Sequence, residues 1–506
     1  MNWFDSGWGL TAAVFLPGAG MLAVLVVPKA EEQLQKIVAL VATLATFGVT
    51  IALAARFDLD RKGLQLGTDK RWIDVINSHY HVGIDGISLP LLMLSALICV
   101  LCVVYSWNHF PEPRSPKAFL ALVLLLEVGM NGTFAAQDLI LFFVFFEVVL
   151  LPMFFMIGVW GGPDREYASI KFFLYTLFGS ALMLLAFLAL YFVGPHTFDI
   201  AALSAAKGAG ITRASQDLIF AGMFVGFAIK VPMFPFHTWL PDAHTEAPTV
   251  GSVLLAAILL KLGAYGFIRI ALPLLPVAAR DWAPWIGLLA VIGIMYGALA
   301  CLAQRDMKRL VAFSSVAHMG FVMLGIATLT TFGVNAAVFG MVAHGLITGM
   351  LFFLAGSIQE RYGTRELSRL GGLLTQAPRL GWILGFCCMA SLGLPGLAGF
   401  WGEFPALLAA YNPAAGIAGN EPLVFRVYMG VAAVGTVLAA GYLLWMLQRV
   451  AFGRVKEEWR ALHVHDVHVS EWIAWTPLVL LITALGIYPN LLLRVTDGTV
   501  TRLFGA

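Results

Sequence analysis

The chain has 506 residues, of which 60% are hydrophobic and 12% charged, with a mean hydropathy of +0.86. Soluble domains are about 45–50% apolar and about 25% charged, so these figures exclude a cytosolic enzyme, a disordered chain and a small disulfide scaffold, and leave a polytopic membrane protein. A net charge of +2 gives no reason to expect a nucleic-acid partner, and five cysteines are an odd, sparse set for a disulfide framework.

A spanning helix needs about 20 mostly apolar residues. Fourteen such stretches follow in chain order, at 10–28, 37–55, 84–106, 118–136, 138–160, 170–194, 216–240, 250–272, 285–303, 309–329, 332–358, 380–411, 423–447 and 472–493. The first is not read as a cleaved signal, because MNWFDSGWG has no basic leader. The polar stretch from Phe57 to Gly83 is expected to be an extramembrane connection. Cys99 and Cys102 form a C-x-x-C inside LICVLCVVY and read as two small core side chains. Lys and Arg favour the connections after odd-numbered stretches, such as Arg361, Arg365, Arg369 and Arg379. Those connections are therefore expected in the cytoplasm and both termini on the other side. The expected class is all-α: one membrane domain over 1–506 with about fourteen spans.

Two stretches should be interrupted. The seventh, FVGFAIKVPMFPFHTWLPDAH, carries Pro232, Pro235 and Pro241, and the twelfth carries Gly393, Pro395, Gly396 and Gly399 ahead of Glu403 and Pro405. Proline removes a backbone donor and clashes with the preceding turn. If 118–272 and 285–447 are two five-helix units, each break falls in the fourth member. An odd number of helices inverts the second unit, and matched breaks are the best sequence pointer to an ion pathway.

Charges deep in a span cost about 2.5–3.5 kcal/mol on insertion scales and are usually functional. This chain places Glu127, Glu147, Lys230, Lys261 and Glu403 inside spans, with His318 and His344 between the last two in sequence. A Glu147–Lys230 pair that opens and closes would change how tightly the lysine holds its proton, which makes it a switch. Lys261, His318, His344 and Glu403 could pass protons along the middle of the membrane, whereas sodium wants oxygen ligands. Glu127 is nearer to a helix-packing role. The HVHDVH run at His463 to His468 resembles a metal cluster but fits a polar loop equally well. Asp242, His244 and Glu246 in DAHTEAP could form a water entrance or a capped turn. No haem, flavin or iron–sulfur site is read in the chain.

The segments KVPMFPFHTWLPDAHTEAPTVGSVLLAAILLKLGAYGFIRI, FFVFFEVVLLPMFFMIGVWG and LGLPGLAGFWGEF resemble the antiporter-like subunits of respiratory complex I, and among them chain M (chain 4) of NADH–quinone oxidoreductase. The resemblance covers the third to thirteenth stretches. It implies fourteen helices with two inverted five-helix repeats and proton translocation coupled to quinone reduction. It also implies FMN, iron–sulfur clusters and quinone in partner subunits, and neighbours of the chain L and chain N type. On this sequence the resemblance marks Glu147 and Lys230 as the charged pair, Lys261 as the central lysine, His318 and His344 as intermediates and Glu403 as the last carboxylate. Chains L and N, and the related Mrp antiporter subunits, generally carry lysine where this chain has Glu403. The competing readings are an Mrp-type cation/proton antiporter subunit, a membrane subunit of a related hydrogenase, and a structural spacer.

Overall fold

The computed structural model describes residues 7–61, 63–417 and 421–505. In chain order these form α1 (Trp8–Val26), α2 (Glu32–Arg56), the strands β1 (Gln65–Ile73) and β2 (Ser78–Ile84), α3 (Ser88–Ser106), α4 (Pro116–Ala135) and α5 (Leu139–Trp160). Then come α6 (Arg165–Val193), α7 (Ile200–Ala206), α8 (Arg213–Lys230), α9 (Trp239–Glu246), α10 (Thr249–Leu274), α11 (Pro276–Leu302), α12 (Met307–Ala327) and α13 (Thr331–Tyr362). The chain closes with α14 (Pro378–Ser391), α15 (Ala398–Tyr411), α16 (Glu421–Val450), α17 (Val469–Ile487) and α18 (Asn490–Phe504).

Among the described residues, twelve helices are long and apolar enough to cross a membrane. Two of the expected fourteen stretches are absent from that set because each is split: α8 stops at Lys230 before α9, and α14 stops at Ser391 before α15. The breaks lie where glycine and proline predict them. Pro241 and Pro405, by contrast, sit inside the resumed helices. Pro241 falls in the first turn, where a missing N–H is tolerated.

Some helix starts are set by side-chain caps. The Asp138 carboxylate accepts from the Ile140 and Leu141 N–H groups at the start of α5, and Asp306 does the same for Lys308 and Arg309 at α12. Helices α10, α12 and α13 are buried along their apolar windows, whereas α2 and α16 turn most of theirs outward. The former are hydrophobic all round because protein surrounds them; the latter have an apolar outer face suited to lipid.

Two features depart from the expected elements, the first of them from the all-α expectation. The connection between α2 and α3 folds into an antiparallel hairpin, β1 with β2, turning at Asn77 with φ +52°. The consecutive charges Asp69, Lys70 and Arg71 in β1 hid the strand pattern. The last expected span, 472–493, ends at Ile487, and Pro489 starts a separate amphipathic helix, α18. The hairpin is held by Ser78 Oγ and the His79 N–H, both donating to Asp138 at 3.0 Å, and by the Gln137 N–H donating to the His81 carbonyl at 2.8 Å.

Directly after the hairpin, buried Asp85 accepts from Arg269 Nη1 of α10 at 2.7 Å, while Arg269 Nη2 donates to Gln137 Oε1 at 2.6 Å. Asp85 Oδ1 also accepts the Ile87 and Ser88 N–H groups, and the Gly86 N–H donates to Thr499 Oγ1 of α18 at 2.9 Å. One carboxylate thus joins hairpin, α3 and α10, and its neighbour reaches α18. Removing one partner of a buried pair costs about 3–5 kcal/mol. The Asp85→Asn variant should lose about that much stability, read as a lowered thermal unfolding temperature in detergent.

Candidate functional site

The first break places Lys230 at the end of α8, 2% exposed. Interrupting the helix frees carbonyls, and Trp239 Nε1 of α9 donates to one of them, Ile229 O, at 2.9 Å. Lys230 Nζ lies 4.7 Å over the ring of Phe146, the residue before Glu147 on α5. Glu147 is half-buried, and the two form no ion pair within 4.0 Å.

Lys261, fully buried, sits in α10 between two wider π-helical turns, Leu255–Leu259 and Phe267–Ala271. Such turns loosen the backbone ladder and occur often at functional sites. Here Lys261 Nζ donates to Ala256 O of the first turn at 2.5 Å and lies 2.7 Å from His344 Nδ1 of α13. Close approach of α10 to α8 depends on Gly263, where a Cβ would stand 2.7 Å from Phe227 O and 2.9 Å from Val231 N.

His344 faces His318 of α12 at 6.0 Å between ring centroids. His318 Nδ1 is 2.6 Å from Glu403 Oε1 of α15, and its Nε2 meets Tyr442 OH of α16 at 3.1 Å and Ser391 Oγ of α14 at 3.2 Å. The second break makes this geometry possible. Gly393, at φ +79°, turns the chain so that Glu403 returns beside it, and Gly402 packs so tightly on α13 that a Cβ would stand 2.5 Å from Gly340 Cα. A cavity of about 20 Å³ lies among His318, His344, Thr348, Ser391 and Glu403, enough for one water.

Four predicted residues are therefore gathered in the spatial order Lys261, His344, His318, Glu403. The two histidines stand opposite to their order in the chain. The remaining pair, Glu147 and Lys230, has no hydrogen bond to this row among the described residues. Glu127 on α4 is buried with neither carboxyl oxygen bonded to protein. In the HVHDVH run, Asp466 accepts the Arg379 and Leu380 N–H groups and His468 caps α17. No group of three or more metal-binding side chains with a metal-holding arrangement occurs among the described residues. Cys99 and Cys102 are free and buried in one helix.

Several buried polar groups escape sequence reasoning. Lys308 looks like a connection charge, but it is 2% exposed and its ammonium donates to Ala247 O. Ser391 and Tyr442 have no signal at all beyond being polar in apolar runs. His244 of DAHTEAP lies fully buried, stacked on Phe352 at 4.6 Å, while Asp242 two residues earlier pairs with Lys171 at 2.7 Å and Arg309 at 3.3 Å.

Comparison with known proteins accounts for nearly the whole chain. Residues 136–418 match the family described as NADH:quinone oxidoreductase/Mrp antiporter, TM, and residues 67–133 match NADH-ubiquinone oxidoreductase chain 4, amino terminus. NADH-quinone oxidoreductase subunit M of Rhodobacter capsulatus is 42% identical, covering 98% of this chain and 96% of the relative. A chain of respiratory complex I from Thermus thermophilus superposes with a TM-score of 0.85 at 30% identity, over 98% of this chain and 100% of that one. A chain of the Mrp complex from Dietzia sp. DQ12-45-1b shares the fold, with a TM-score of 0.83 at 20% identity over 98% and 97% of the two chains. The chain belongs to the subunit M (chain 4) family of NADH-quinone oxidoreductase, the antiporter-like membrane subunits of complex I.

Proposed function

We propose that this chain is a proton-translocating membrane subunit of NADH:quinone oxidoreductase, moving protons in response to quinone reduction elsewhere in the complex. The observation that carries the reading is the buried row Lys261–His344–His318–Glu403, drawn from four different helices. Each member can hold and release a proton, and each sits where an isolated charge is costly. The row alternates nitrogen bases with a terminal carboxylate and has no cluster of oxygen ligands, which favours protons over sodium.

Glu147 and Lys230 act as the switch. If they stand apart, Lys230 would hold its proton less firmly; if they close, the carboxylate would retain it. A long-range electrostatic change opens the pair, Lys230 releases its proton toward Lys261, and the row carries charge to Glu403. Counting the two split segments as spans makes fourteen, with 118–272 and 285–447 as inverted five-helix repeats. Their support is that each unit has its break in the same member, with a key ionisable residue beside it. The bias of Lys and Arg puts both termini on the non-cytoplasmic side of a bacterial inner membrane. FMN, iron–sulfur clusters and quinone belong to partner subunits, and the neighbours in the membrane arm are of the chain L and chain N type.

In the purified complex reconstituted into vesicles, Lys261→Ala and Glu403→Gln should each lower the protons moved per NADH oxidised while the complex stays assembled. Undiminished pumping in both would overturn the reading. Independently, Glu147→Ala and Lys230→Ala should impair pumping to a similar degree, and their double variant should be no worse than either alone, since both act on one switch.

A further inference from the structure

The two histidines that join Lys261 to Glu403 do not touch. Their ring centroids are 6.0 Å apart with planes at 58°. Both nitrogens of His318 are engaged elsewhere, Nδ1 by Glu403 and Nε2 by the hydroxyls of Ser391 and Tyr442. A proton on His344 therefore needs an intermediary. The two hydroxyls differ in one respect: Ser391 lines the cavity shared with His344 and Thr348, and Tyr442 does not. Ser391 is thus in contact with both the cavity and the ring. His344 Nε2 is buried without a protein partner, on a ring that lines the same cavity.

Resting on the role given above to His318, we propose that Ser391 is the proton-carrying link between His344 and His318, with Tyr442 as a positioning residue that holds the His318 ring. A water in the cavity takes the proton from His344 Nε2 and gives one of its own to Ser391 Oγ. In the same step the serine hydroxyl gives its hydrogen to His318 Nε2. The imidazolium so formed passes its Nδ1 hydrogen to Glu403 Oε1. Water and serine end as they began, His344 has lost one proton, Glu403 has gained one, and His318 is left as its Nε2–H tautomer. A hydroxyl suits this post because it donates and accepts at once. Tyr442, fully buried, offers a second hydroxyl to Nε2 and keeps that nitrogen aligned as its role changes from acceptor to donor.

The test uses the whole purified complex in vesicles and reads protons moved per NADH beside the rate of NADH oxidation. Ser391→Ala should lose this chain's share of the protons, and Ser391→Thr, which restores a hydroxyl, should recover it. Tyr442→Phe keeps the ring and should lower pumping less than Ser391→Ala. A purely structural role would show as lowered thermal stability with no recovery specific to the hydroxyl. The proposal falls if Ser391→Ala pumps like the unmodified complex while His318→Gln does not. If His318→Gln also pumps normally, the proton pathway itself is wrong. Should Ser391→Ala not assemble, Ser391→Cys keeps a side chain of similar shape with a weak donor and is judged by the same two outcomes.

Discussion

An ionisable group placed among apolar helices must find its solvation inside the protein, and most of this architecture answers that requirement. Lys261 borrows a carbonyl from a π-helical turn and shares its proton with His344. Glu403 is met by His318, which in turn is met by two hydroxyls. Lys230 rests over an aromatic ring beside an interrupted helix. In each case the local backbone departs from a regular helix, or a glycine lets two helices approach, so that a polar group can be reached. The irregularities are therefore not separate from the charges; they are what allows the charges to be there.

The same constraint acts at the rim. Asp85 and Arg269 are both buried, and a pair of this kind stabilises only when its remaining lone pairs and protons are also used. Here most are: Gln137 takes the second guanidinium arm and two backbone N–H groups occupy the carboxylate, while Arg269 Nε is left without a partner. The hairpin, the start of α3, the end of α10 and the last helix are thereby tied together at one level. This leaves α10 anchored at its end and loosened by π turns on either side of Lys261.

The interrupted helices were legible from composition because proline and glycine act locally: Pro232 and Pro235, three residues apart, each remove a backbone donor and clash with the preceding turn, which disfavours an α-helix across Val231–Thr238. Glu147, Lys230, Lys261 and Glu403 were legible because charge stands out against an apolar run. Ser391 and Tyr442 were not, since serine and tyrosine occur throughout buried helices without consequence. Lys308 was hidden for the opposite reason: at the mouth of a helix it resembles an orientation charge, and only packing shows it buried. The β-hairpin escaped because β1 carries the consecutive charges Asp69, Lys70 and Arg71 in place of an apolar–polar alternation, so its pairing with β2 shows only in the fold.

By itself the sequence determined that the chain lives in a membrane, where its helices break, and which side chains can hold a proton, because hydropathy, backbone propensity and charge belong to each segment alone. Tertiary structure decided the order in which those side chains meet. Helices such as α10, α12 and α13 are apolar on every face, so no amphipathic stripe reveals how each is rotated against its neighbours. That rotation put His344 beside Lys261 and His318 beside Glu403, the reverse of their order along the chain. It also placed Ser391 at the gap between them and set Glu147 apart from Lys230.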